Sequence, residues 1–248
     1  MTKKIKKLYT AGDGFCCNHT WPMWSKILAD ILECQWINLS TYGAGNEAIA
    51  NLVLDQLSAN EDYCDSLWLI QWTLPKRLDL RIDHLDNNSQ LLNYISSDPV
   101  YYDNFISTSK QKKYWCSSAS TLEFVNNHND LMNIDQHNDR SRHHAMSVAY
   151  ALTKHKVNWK YLLTYKAYWL PLEFINESNW ILQDMSSFRK ISQYAHLDIN
   201  RVQPISSIHL DFLEKFILPQ LEYNPERLEI IKNKILTSDV EQYNKNVG

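Results

Sequence analysis

Apolar residues in the first third of the chain fall alternately into short runs and into stripes spaced three and four apart, a pattern that predicts alternating strands and helices. Residues 5–11 read as a short strand that stops at the turn-forming triplet Gly12-Asp13-Gly14. A helix is expected to begin near Trp21-Pro22, since proline is tolerated in a first turn, and to carry Trp24, Ile27, Leu28, Ile31 and Leu32 on one face. Residues 35–39 give a second strand and residues 40–45 a loop. Asn46 then reads as the cap of a helix whose apolar positions are Ile49, Leu52, Val53 and Leu57. Residues 66–72 form a third strand, so continuous in hydrophobicity that both of its sheet faces should be covered. Three βα repeats in succession predict an α/β fold with a parallel sheet.

From about residue 76 to 142 the pattern dissolves into a polar, irregular insertion, with a basic and aromatic run at 110–115 and a helical candidate at 118–132. Order returns with a helix from about His143 to Lys154 and a fourth strand at 159–165. A buried stripe follows at 207–221, made by Leu210, Leu213, Phe216, Ile217 and Leu221, and a charged tail helix at 225–236. The organisation expected is one α/β domain over residues 1–223, insertion included, with a helical tail over 224–248.

Composition narrows the class. The chain has 248 residues, 44% hydrophobic and 12% aromatic, with only 5 Gly and 7 Pro, which excludes a disordered or low-complexity protein. A formal net charge of −3 supplies no general basic field, so nucleic acid is an unexpected partner. The 5 cysteines, at 16, 17, 34, 64 and 116, form no CxxC pair and their odd number cannot pair completely within one chain, so a reducing compartment is expected. The basic start lacks the apolar stretch of a secretion signal, and no run approaches the ~18 apolar residues of a membrane span. A cytoplasmic or particle-borne protein without a signal peptide is the expectation.

Candidate chemistry gathers where the strands end, because open α/β sheets bind ligands in the crevice beyond their carboxyl ends. The first loop offers Asp13 and Gly14, with Cys16 and Cys17 just beyond. Its glycines miss the GxGxxG spacing, and no phosphate-loop lysine follows. The second loop offers Gly43, Gly45 and Asn46, whose backbone N–H groups at a helix start suit an anion or oxyanion. The third offers Trp72, Thr73 and Arg77. The two cysteines are read as packing residues, the run His128, Asp135, His137, Asp139, His143 and His144 as a polar loop leading into a helix, and the tryptophans at 115, 159, 169 and 180 as core or interface. No metal and no cofactor are expected.

The Gly12-Asp13 turn, the glycine loop after the second strand, the apolar strand after Asp65 and a His near the last helix resemble the SGNH (GDSL-type) hydrolase family, particularly its short members in tailed phages. That resemblance implies a three-layer α/β/α sandwich with a mainly parallel central sheet. It also implies a Ser nucleophile after Gly-Asp, oxyanion donors from a Gly and an Asn on the next two loops, and an Asp-x-x-His near the C-terminus. This chain departs from the pattern at the chemical positions. Gly14 stands where the nucleophile belongs, and Trp72-Thr73-Leu74 replaces the Gly-x-Asn block. One C-terminal alignment puts Asn200 at the Asp and Gln203, followed by Pro204, at the His. The other makes Ser206-x-x-His209 the altered motif and keeps His209 as base. The proline and helix spacing favour the first. Loss of the serine alone costs about a millionfold in such triads.

The expectation is therefore a pseudoenzyme: a non-catalytic binding or structural protein, phage-encoded and carried in a virion, with virion or host proteins or a glycan as partner. The alternative is an active esterase or carbohydrate O-deacetylase that uses Cys16, Ser40 or Thr73 as nucleophile and His209 as base.

Overall fold

The apolar runs of the sequence become the strands of one parallel sheet. The computed structural model describes residues 4–13, 16, 22–40, 44–59, 62–73, 75, 79–81, 114–116, 134–163, 179–182 and 206–246. In chain order these form β1 (Lys7–Ala11), α1 (Trp24–Leu32), β2 (Gln35–Asn38), α2 (Asn46–Ser58), β3 (Ser66–Trp72), β4 (Asp79–Arg81) and β5 (Tyr114–Cys116). There follow α3 (Ile134–Lys154), β6 (Asn158–Leu163), β7 (Trp180–Leu182), α4 (Ser206–Phe212) and α5 (Pro225–Asn246). Five strands lie in the order β2-β1-β3-β6-β7, every neighbouring pair parallel, while β4 and β5 form a separate antiparallel ribbon. In this order the chain moves outward from β1 in one direction to β2 and in the other to β3, so the switch point lies between the ends of β1 and β3.

The pleat sorts the side chains into two cores. Tyr9, Ala11, Trp68, Ile70, Trp72, Trp159 and Tyr161 pack with Ala48, Ile49 and Val53 of α2 and Ala145, Val148 and Leu152 of α3. Leu8, Leu67, Leu69 and Leu162, one position out of step on the same strands, pack with α1, α4 and α5. All seven residues of β3 are buried, as its unbroken apolar run predicts. Tyr9 and Trp68 are register partners on β1 and β3, and their rings stack at 4.2 Å, an arrangement that contributes about 0.5–1.5 kcal/mol beyond the area it buries. Of the four tryptophans singled out above, Trp159 is buried and tilted against Tyr161, while Trp169 and the side chains of Trp115 and Trp180 lie outside the described residues.

Several expected elements change. α1 starts at Trp24, after Pro22, rather than at Trp21-Pro22. The fourth strand starts at Asn158, and β7, which the sequence pattern does not announce, pairs with it. α3 starts at Ile134 instead of His143, so 134–142, read above as irregular, is helix. The stretch 207–221 is not one α-helix: α4 gives way to a wider π turn at Leu213–Ile217 and a tight turn at Leu218–Gln220. The last helix runs on to Asn246 and sets Leu228, Ile231 and Ile235 into the second core. The helical candidate at 118–132 lies outside the described residues. No helix among the described residues is long and apolar enough to cross a membrane.

Candidate functional site at the sheet switch point

β1 and β3 end side by side, and the residues just past their last register pair, Ala11 with Ile70, form a buried polar cluster. Asp13 is 1% exposed and its carboxylate accepts two hydrogen bonds, from Gln71 Nε2 and from Thr73 Oγ1, each at 2.9 Å. A buried carboxylate is tolerable only with such donors. They also fix the neighbouring groups. With its Nε2 turned to Asp13, the Gln71 amide must turn Oε1 the other way, and there Cys16 Sγ lies at 2.9 Å. An amide oxygen only accepts, so the thiol must be the donor and carries its proton. The loop is pinned from below by Cys16 N–H to the Asp13 carbonyl at 2.8 Å and by Asn38 Nδ2 to the Cys16 carbonyl at 3.2 Å. Gly12 leaves room for this: a Cβ there would stand 2.7 Å from Cys16 Sγ and 2.9 Å from Gln71 Cβ.

The cluster continues toward α2 and α3. Asn46, expected to cap α2, does not cap it: Gly45 occupies the cap position, and the Asn46 side chain turns into the interior instead. Its Oδ1 accepts from Thr73 N–H at 2.9 Å, and its Nδ2 donates to the Thr73 carbonyl at 3.2 Å and to Ser141 Oγ of α3 at 2.9 Å. The end of β3 is thus stapled to the start of α2 and the body of α3. Two of the N–H groups at the start of α2 are taken by Asp79 of β4, whose Oδ1 accepts from Gly45 N–H at 2.7 Å and Oδ2 from Ala48 N–H at 2.8 Å. The Gly45 N–H is one of those expected to face an anion at the second loop, and here it faces a carboxylate of the chain itself.

Of the residues singled out from sequence, the structure brings together Asp13, Cys16, Thr73, Gly45 and Asn46. Trp72 faces the α2/α3 core, edge-on to Tyr161 at 5.2 Å, on the opposite side of β3 from Gln71. His209 lies in α4, 2% exposed, beside Leu210 of the second core. Ser40 follows β2, its N–H held by Asn38 Oδ1 at 3.0 Å. Gly14, Cys17, Gly43, Arg77, Asn200 and Gln203 lie outside the described residues, so neither the nucleophile position nor the first C-terminal alignment is described.

Sequence reasoning missed Gln71, Asp79 and Ser141. Gln71 carried a signal, as a lone polar side chain inside a strand otherwise buried and apolar at its centre. Ser141 carried one too, lying one helical turn before Ala145. Asp79, in a polar stretch, carried none. The His-rich run lies mostly on α3, where His137 is buried, His143 exposed and His144 half-buried; His128 is outside the described residues. Burial holds His144 below the usual histidine range, against the opposing pull of Glu47 on α2. Among the described residues no group of three or more His, Cys, Asp or Glu side chains is placed to hold a metal ion.

A search of protein-family models finds no match to this chain, and neither the curated proteins nor the solved structures compared with it contain one.

Proposed function

We propose that this chain is a non-catalytic binding or structural protein built on an SGNH-hydrolase-like, three-layer α/β/α frame. The observation that carries the reading is the closed hydrogen-bond circuit at the switch point. Cys16, the nearest nucleophile to the Gly12-Asp13 turn, spends its proton on Gln71 Oε1. A thiolate at that place would face the amide oxygen's negative end, so the circuit opposes the ionisation a cysteine nucleophile needs. Thr73 is 2% exposed and its hydroxyl is committed to Asp13. The Gly45 N–H, which with Gly43 is one of the two candidates for the oxyanion glycine in the resemblance, is committed to Asp79. The parallel order β2-β1-β3-β6-β7, with helices against both faces, supports the frame. Fold alone does not assign an activity, and the weight rests on the committed groups.

The test is hydrolysis of p-nitrophenyl acetate and butyrate by the wild-type chain and by Cys16→Ala, Ser40→Ala, Thr73→Val and His209→Ala, each verified as folded by its melting profile. The expected result is no turnover above buffer for any of them. Saturable turnover by the wild type that disappears in one of these variants overturns the proposal in favour of an esterase.

A further inference from the structure

We propose that the start of α1 is a subsite for an oxyanion group, a phosphate or a carboxylate, held by the N–H groups of Ser25 and Lys26 and by the Ser25 hydroxyl. This goes beyond the reading above and holds whether or not the chain hydrolyses esters. β1 and β2 are parallel neighbours joined through α1, so α1 must run back across the sheet and begin at its carboxyl edge. That edge is where open α/β sheets bind their ligands. The packing agrees: Cys16, past the end of β1, shares its apolar cluster with Trp24, Ile27 and Leu28 of α1.

A helix start leaves N–H groups that need acceptors, and α1 lacks the usual ones. Its cap position is Met23, extended at φ −92° and ψ 166°, with no side-chain oxygen to offer. Its first turn holds no acidic residue to answer the positive end of a 9-residue helix. Water is no ready substitute, because Met23 and Trp24 are each 1% exposed and Ser25 is 0% exposed. The Ile27 N–H reaches the Met23 carbonyl at 2.9 Å, but no acceptor for those of Ser25 and Lys26 lies among the described residues. Ser25 supplies a second, separate sign. Its Oγ is buried and, among the described residues, has no hydrogen-bond partner. Helical Cα–Cβ bonds tilt toward the N-terminus, so this hydroxyl is carried to the same open end as the N–H groups. A serine that served only as a small packing residue would be better replaced by alanine, which orphans no donor. Two N–H groups and a hydroxyl with nothing to donate to, at the positive end of a helix, are the complement of an anion's oxygens. The Lys26 ammonium stands apart from the site, engaged by Asp30 one turn on.

The test is an NMR titration of the isotope-labelled full chain with inorganic phosphate and, separately, with acetate, at constant ionic strength. Saturable shifts of the Ser25 and Lys26 amide signals are expected with at least one probe, and the probe that binds more tightly names the group. Ser25→Ala is expected to weaken that binding about tenfold, the worth of one hydrogen bond to a charged acceptor. Ser25→Asp, which brings the chain's own carboxylate to the helix start, is expected to abolish the response. Ser58→Ala, at the exposed end of α2, should bind as the wild type does. Absence of saturable shifts in the wild type with both probes overturns the proposal, a result that needs no variant to fold. Unchanged affinity in Ser25→Ala or Ser25→Asp overturns it too, because the anion would then sit elsewhere.

Discussion

Gln71 interrupts an apolar strand and takes part in two of the bonds that close the edge of the sheet, donating to Asp13 and accepting from Cys16. The amide orientation follows from the carboxylate, and the protonation of the thiol follows from the amide, so Asp13 sets the chemistry of Cys16 through Gln71. Asp13→Ala leaves Gln71 Nε2 and Thr73 Oγ1 buried without their acceptor, and each orphaned donor costs about 1–3 kcal/mol. Urea unfolding of this variant is expected to show a loss of about 2–6 kcal/mol, whereas Asp13→Asn, which keeps one acceptor oxygen, should lose clearly less. Equal losses would place the role of Asp13 in volume rather than in hydrogen bonding. At this scale the sequence pointed to Asp13, Cys16 and Thr73 but said nothing of how they are joined, since the partners 58 and 55 positions away are set by strand register, which single-residue patterns do not encode.

α3 shows why a helix can be half legible. Its buried positions are His137, Ser141, Ala145, Val148 and Leu152, a regular stripe whose first two members are polar. A search for apolar periodicity finds only the last three and starts the helix nine residues late. Ser141 belongs to the stripe because it answers Asn46 across the gap to α2, so the polar half of the helix face is where the element meets the site. Asn46 itself is a mirror case: its identity suggested a cap, and Asp79 took that role, freeing Asn46 to bind β3. The α2–α3 contact also carries a pH dependence. His144 is held below its ordinary value of 6.5 mainly by burial, with Glu47 opposing. The unfolded chain therefore takes up this proton first as the pH falls, so the contribution is fully present above about 6.5 and is lost as the pH falls through the lower folded value. Melting profiles between pH 7 and 5 should show His144→Gln losing less stability on acidification than the wild type. An equal or greater loss in the variant contradicts the assignment.

Across the whole molecule, the parallel sheet was legible because its evidence is local: β1 and β2 each declare themselves by an apolar run followed by a helical stripe, and β3 by its unbroken apolar run. The strand order was not, because nothing in the runs states which neighbours pair, and β7 with only three residues is too short to register as a pattern. The order nevertheless decides where chemistry can occur, since it sets the ends of β1 and β3 beside one another and leaves the switch point between them. There the chain builds a circuit in which each donor faces a fixed acceptor. The claim on which this account rests is that Cys16 holds its proton in that circuit. An infrared difference spectrum between the wild type and Cys16→Ala reads the S–H stretch of this thiol directly. The account predicts a hydrogen-bonded S–H band at neutral pH. A band that vanishes within the about 3.5–7.5 interval of activated cysteines would contradict it and mark Cys16 as a nucleophile.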